Sequence, residues 1–283
     1  MKIQALLEKY WSDQKRYWKD LKNQSKIHGL DRNFDHLYDE VHQKSAPIFI
    51  ISTGRCGTAL LTEVFKKNAG LAAVHEPVPE LSFHSSLAFK KPMNDPGLKM
   101  AIDAVRYEYI RDTYLLGQRY VETNNRISFF AHYLAELFPK AQFIHLVRHP
   151  KAFIKSGLSR NWYSGKTLYD EGRIKDKAFF DTCNQHEKIA WLWAATNQFG
   201  IDFQSKYPNR CYTLKSEDLF AGNEQLVKSL QFLGLDTISS KELEGLTKIP
   251  VNKGKKVLEE FELEKLNNVP DFISVMNHFS YAF

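Results

Sequence analysis

Ile48-Phe49-Ile50-Ile51-Ser52-Thr53-Gly54-Arg55-Cys56-Gly57-Thr58 is an unbroken apolar run that passes straight into a glycine-bearing loop, with Pro47 before it. Four consecutive apolar residues suit a strand buried on both faces of a parallel sheet. Beyond the loop, Leu60, Leu61, Val64 and Phe65 fall on one helical face. Lys66 and Lys67 suit the helix C-terminal dipole, and Gly70 is placed to cap it. The unit reads strand, loop, helix. Such a unit presents unpaired backbone N–H groups and a positive dipole end, which together attract phosphate. An ordinary strand-to-helix turn would use the same glycines, so the flanking residues must decide.

Spacing excludes several chemistries. An ATPase loop needs Gly-Lys-Ser/Thr, and Gly54 is followed instead by Arg55 and Cys56. A cysteine phosphatase needs Arg six residues after its nucleophile, where Thr62 stands. His75-Glu76 would begin a zinc motif only with His at 79, which is Pro79. His145 and His149, four apart across a strand end, read as structural rather than as metal ligands. No metal site is expected.

Outward from the loop, Leu71-Ala72-Ala73-Val74 predicts a second strand that carries His75 and Glu76 to its carboxyl end. Met100–Leu116 predicts a helix in an acceptor-side insertion, and Ile127–Leu137 a helix ended by Pro139. Phe143–Val147 and Cys211–Leu214 predict further strands, with a helix over Lys188–Phe199 between them; Pro150 opens another helix. Leu6, Leu7, Tyr10, Trp11, Phe34, Leu37 and Val41 have helical spacing and predict helices laid over the core. Alternating strands and helices give an α/β class with a mainly parallel sheet. The expected organisation is one domain over 1–283: a helical extension at 1–44, a nucleotide-binding core with acceptor-side insertions at 45–220, and a helical closing segment at 221–283.

The 283 residues carry a formal charge of +6, which favours an anionic partner. Three cysteines, Cys56, Cys183 and Cys211, form no CxxC spacing, so a reducing, cytoplasmic compartment is expected. No run of about 18 apolar residues occurs, so a soluble chain without a membrane span or cleaved leader is expected.

Arg55-Cys56-Gly57-Thr58 after the first strand, and Arg148 with Ser156 eight residues later after another, resemble the two nucleotide-binding elements of the sulfotransferase family. Phe138-Pro139-Lys140-Ala141-Gln142-Phe143 and Ser216-Glu217-Asp218-Leu219 extend the resemblance, which spans about Pro47 to Leu219. The resemblance implies a P-loop-like fold and transfer of a sulfuryl group from 3′-phosphoadenylyl sulfate, without metal, leaving adenosine 3′,5′-bisphosphate. It implies that Thr53, Gly54, Arg55, Cys56, Gly57 and Thr58 hold the 5′-phosphosulfate, and Arg148 and Ser156 the 3′-phosphate. It extends to Lys253 and Gly254, within Val251–Lys256, as a segment closing over the nucleotide. Glu76 is the implied base, eighteen residues after Thr58; His75 is the second candidate and His84 the third. This sequence departs from the family in Cys56 for Ser, Ala59 for a second Thr, and Leu60 for the aromatic residue that stacks on adenine.

The acceptor implied is a carbohydrate or other small polar hydroxyl compound, not nucleic acid, with Arg106, Arg111, Arg126, Arg160, Trp162 and Tyr163 available to meet it. Two other classes stand beside this reading: a non-catalytic protein of the same fold that binds anionic glycan or nucleic acid, and a nucleotide kinase. No carboxylate ends Phe143–Val147 to hold the magnesium a kinase needs.

Overall fold

A computed structural model describes residues 2–91, 94–165, 173–235 and 266–282. Two helices, α1 (Lys2–His28) and α2 (Leu37–Lys44), precede strand β1 (Ile48–Ser52) and helix α3 (Thr58–Phe65). Strand β2 (Leu71–His75) leads into α4 (Ser82–Lys90), α5 (Pro96–Leu115) and strand β3 (Arg119–Thr123). A 3-10 turn at Asn125–Phe130 runs into α6 (Ala131–Leu137), β4 (Gln142–Val147) and α7 (Pro150–Leu158). Then come α8 (Lys177–Phe180), α9 (Gln185–Lys206), β5 (Cys211–Lys215), α10 (Ser216–Ala221), α11 (Glu224–Phe232) and α12 (Phe272–His278).

The five strands form one parallel sheet in the order β2-β3-β1-β4-β5. All five residues of β1 are buried, as its apolar run requires. Side chains alternate across a strand, so Phe49 and Ile51 enter one core while Ile48 and Ile50 enter the other. The first is the larger and is built with α5, α6, α9 and α12; the second lies under α3 and α11. The α/β class with a parallel sheet flanked by helices therefore holds. Strand order runs away from β1 in both directions, to β2 on one side and β5 on the other. The carboxyl ends of β1 and β4 thus form the kind of switch point at which such sheets place ligands.

Four readings of the fold are corrected. Strand β3 was not foreseen, and α5 is not an insertion: it is the crossover that packs on β3 and links it to β2. Its Arg106 and the Glu122 of β3 are both fully buried and form a bidentate pair at 2.7 and 2.9 Å. The third correction concerns α1, which forms but does not lie over the core. Leu7, Tyr10 and Trp11 are exposed, and among the described side chains its last turns are what reach the body, through buried Ile27 and a 2.7 Å bond from Gln24 to Asp112. Helix α3 is also capped at Lys66 rather than at Gly70.

Candidate active site

The loop between β1 and α3 is strained and tightly tied. Gly54, Arg55 and Gly57 all have left-handed backbones, at φ 75°, 58° and 94°. For Arg55 that conformation is unfavourable, and such strain persists only where surroundings hold it. Here Arg148 Nη1 donates to the Arg55 carbonyl at 2.7 Å, and the Ser216 hydroxyl donates to the Cys56 carbonyl. Gly57 is required twice over: it takes φ 94°, and a Cβ there would meet the Phe220 ring at 3.0 Å and Leu219 at 3.2 Å. Ser128 locks the end of β1 by accepting from Ser52 N and donating to Ser52 O, both at 3.0 Å. Among the described residues, no partner engages the backbone N–H groups of Arg55, Cys56, Gly57 and Thr58. The start of α3 is therefore a set of free donors at a helix N-terminus.

Cys56 does not line that cradle with its thiol. The side chain is buried in the core beneath α3, with Sγ 3.1 Å from the Gly54 carbonyl and 3.0 Å from Thr53 Oγ1. Burial pushes the thiol up to about 11. Its exchange for Ser therefore removes no hydroxyl from the cradle, and only the Cys56 backbone N–H faces the task. Thr58 and Thr53 are also buried.

Guanidinium groups gather opposite the loop. Arg55 Nε lies 3.4 Å from Ser156 Oγ, and Arg160 Nη1 lies 3.2 Å from the same oxygen. Arg148 crosses to the loop carbonyl as described, and its backbone carbonyl is pinned by Trp193 Nε1 at 2.8 Å. Desolvation first, then the like charges of Arg160 and Arg148, pull the Arg55 guanidinium below its usual range, while Glu76 acts the other way. Three cations gathered there, with no carboxylate bridge between them among the described residues, have the charge to suit a multiply charged anion. Arg160, offered by the sequence for the acceptor, shares Ser156 with Arg55.

Phe220 was missed. Half-exposed on α10, it packs its ring over Gly57 and lies 5.7 Å from the Arg148 guanidinium. The neighbouring Ser-Glu-Asp-Leu run was its only signal. Glu217 of that run accepts from His149 N and from the Tyr281 hydroxyl, each at 3.0 Å, fastening α10 to the turn after β4.

Glu76 follows β2 in a left-handed conformation at φ 44°, and its carboxylate lies 3.6 Å from Arg126 Nη1. Arg126 also pairs with Glu80 at 3.2 Å, and its buried Nη1 makes no hydrogen bond. His75 Nδ1 lies 2.8 Å from the Thr123 carbonyl, which can only accept. The ring's proton is therefore on Nδ1, leaving the Nε2 lone pair of the neutral imidazole uncommitted to this contact. His84 sits on α4, in edge contact with Phe83. Of the six residues offered for the acceptor, only Arg126 stands beside Glu76. Arg106 is core, Arg111 pairs with Asp112 at 2.6 Å, and Trp162 and Tyr163 are buried. Lys253 and Gly254 lie outside the described residues.

A sequence model described as the sulfotransferase family matches residues 47–239, from the start of β1 past α11. The chain belongs to the sulfotransferase family. It is a transferase by that membership, and solved structures agree in fold. The sulfotransferase domain from the curacin biosynthetic pathway has a TM-score of 0.55 at 16% identity, over 85% of this chain and 99% of its own. The sulfotransferase domain of the Synechococcus PCC 7002 olefin synthase scores 0.51 at 17% identity, over 84% and 97%. A sulfotransferase from Alicyclobacillus acidocaldarius scores 0.51 at 16% identity, over 84% and 97%. No curated protein matches this sulfotransferase. None of its described helices is long and apolar enough to cross a membrane.

Proposed function

We propose that this sulfotransferase, acting as one domain over 1–283 in a reducing, cytoplasmic compartment, transfers a sulfuryl group from 3′-phosphoadenylyl sulfate to a hydroxyl of a carbohydrate or other small polar acceptor. The observation that carries the reading is the meeting of Arg55 and Arg160 at Ser156, with Arg148 bonded to the Arg55 carbonyl, beside the free N–H groups that open α3. A donor with phosphate at both ends of its ribose would relieve that crowding of like charge, and a donor with one phosphate group would leave part of it uncompensated.

When bound, the donor supplies a sulfuryl group on an anionic phosphate leaving group. Gly54 and Gly57 let the backbone approach the 5′ end, where the N–H groups of residues 55–58 and the Arg55 charge offset negative charge as it builds on the leaving oxygen. Arg148 and Ser156, with Arg160 behind the serine hydroxyl, hold the 3′-phosphate. Phe220 is suited to stack on adenine, the role left open by Leu60, because its half-exposed ring lies against Gly57 and 5.7 Å from the Arg148 guanidinium.

Glu76 takes the proton of the acceptor hydroxyl at its carboxylate. Arg126 stands beside the Glu76 carboxylate and offers an uncommitted N–H next to the acceptor oxygen. His75 is the second candidate, since its fixed tautomer leaves Nε2 as an acceptor.

Radiolabelled 3′-phosphoadenylyl sulfate offered with a panel of sugars and other polar alcohols tests the reading. Label is expected in a polar acceptor without added magnesium. Label confined to phenols would overturn the acceptor class, and neither transfer nor donor hydrolysis would favour a non-catalytic binder of the same fold.

A further inference from the structure

Helix α1 repeats an aromatic pair. Tyr10-Trp11 recurs seven residues later as Tyr17-Trp18, with Leu7 before and Leu21 after. Seven residues are close to two turns, so these six side chains share one stripe, about 21 Å long from Leu7 to Leu21. The stripe is open: Trp11 is 61% and Trp18 65% exposed, and the other four are exposed as well. The ring contacts within it are between chain neighbours, Tyr10 with Trp11 and Tyr17 with Trp18. Among the described side chains, attachment to the body comes further along, at Gln24 and Ile27.

Beside the tryptophan edge runs a column of lysines. Lys15, Lys19, Lys22 and Lys26 are spaced four, three and four residues apart, and all are exposed. Across Lys2–His28 there are seven Lys or Arg against three Asp or Glu. A second copy of α1 packed on this stripe would bring two such positive helices together. An anionic surface is instead complementary, and Trp and Tyr rings with Lys beside them match the boundary between lipid chains and headgroups. The charges interspersed along the helix exclude a span but not a helix lying in the plane.

We propose that α1 is a docking surface for an anionic lipid bilayer, lying in its plane with the Leu7–Leu21 stripe in the interface and the lysine column against the headgroups. This rests on α1 alone and is independent of the donor site.

The test sediments the full chain with phosphatidylcholine vesicles, with and without phosphatidylserine. Binding is expected only where phosphatidylserine is present, and it should weaken as salt rises. The variant Trp11→Ala/Trp18→Ala should lower the bound-to-free ratio at least about tenfold, and Lys15→Glu/Lys19→Glu/Lys22→Glu should lower it by roughly fivefold for each lysine lost. Thermal unfolding should be unchanged in both, because the altered side chains are exposed. Failure to bind anionic vesicles would overturn the proposal, as would binding that both variants retain. Concentration-dependent dimers abolished by the aromatic variant, without vesicle binding, would overturn it in favour of a second copy.

Discussion

Glu76→Gln is expected to lower kcat for the labelled acceptor by at least about a hundredfold while nucleotide affinity stays near wild type. The amide has nearly the carboxylate's shape but cannot accept the acceptor's proton. Among the described residues Glu76 makes no hydrogen bond or ion pair with the loop and reaches Arg55 only through its charge; its ion-pair partner is Arg126. A loss of turnover without loss of nucleotide binding would thus separate a base from a scaffold residue. Unchanged turnover would remove Glu76 from the mechanism. If His75→Gln then abolished turnover, the proton would go to imidazole Nε2 instead.

Arg106→Ala should cost about 3–5 kcal/mol of stability, because it leaves the carboxylate of Glu122 buried and uncompensated. For a domain of this size that is a fall in Tm of roughly 10 °C, readable by calorimetry. Arg106 also reaches the Pro79 carbonyl at 3.2 Å and lies 3.5 Å from that of Pro77, so it steadies the segment that carries Glu76 and Glu80. The double variant Arg106→Leu/Glu122→Leu should recover much of the loss, since no buried charge is then unpaired. An Arg106→Ala Tm equal to wild type would show that the pair contributes nothing to folding.

That buried pair also explains what the sequence concealed. Parallel strands buried on both faces usually read as continuous apolar runs, and Ile48–Ile51 does, as Phe143–Val147 does apart from His145. Arg119-Tyr120-Val121-Glu122-Thr123 does not, although its last four residues are buried. Glu122 is tolerated because Arg106, Tyr120 and Asn124 satisfy its oxygens, from positions 16, 2 and 2 residues away. Nothing local announces such a pairing, so β3 stayed hidden and Arg106 looked like a surface contact.

The phosphate loop was legible for the opposite reason. Its strand, glycines and helix lie within twenty residues, and local spacing encodes them. Phe220 depends on how α10 docks over Gly57, which is long-range information. Helical periodicity located α1 but could not say whether Trp11 and Trp18 face protein or something else, because periodicity reports a face and not what covers it. At Cys56 the chemistry was read from residue type alone, while the structure turns the thiol into the core.

The central claim is that the site is built for a nucleotide phosphorylated at both its 3′ and 5′ positions, and a calorimetric titration tests it most directly. Adenosine 3′,5′-bisphosphate and adenosine 5′-phosphate would be titrated into wild type, Arg148→Ala and Phe220→Ala. Arg148→Ala is expected to weaken the bisphosphate by roughly ten- to hundredfold and the monophosphate far less, since one charge-assisted contact is lost only by the former. Phe220→Ala should weaken both nucleotides alike. Equal loss of both nucleotides in Arg148→Ala, or wild-type binding that does not distinguish them, would contradict the account.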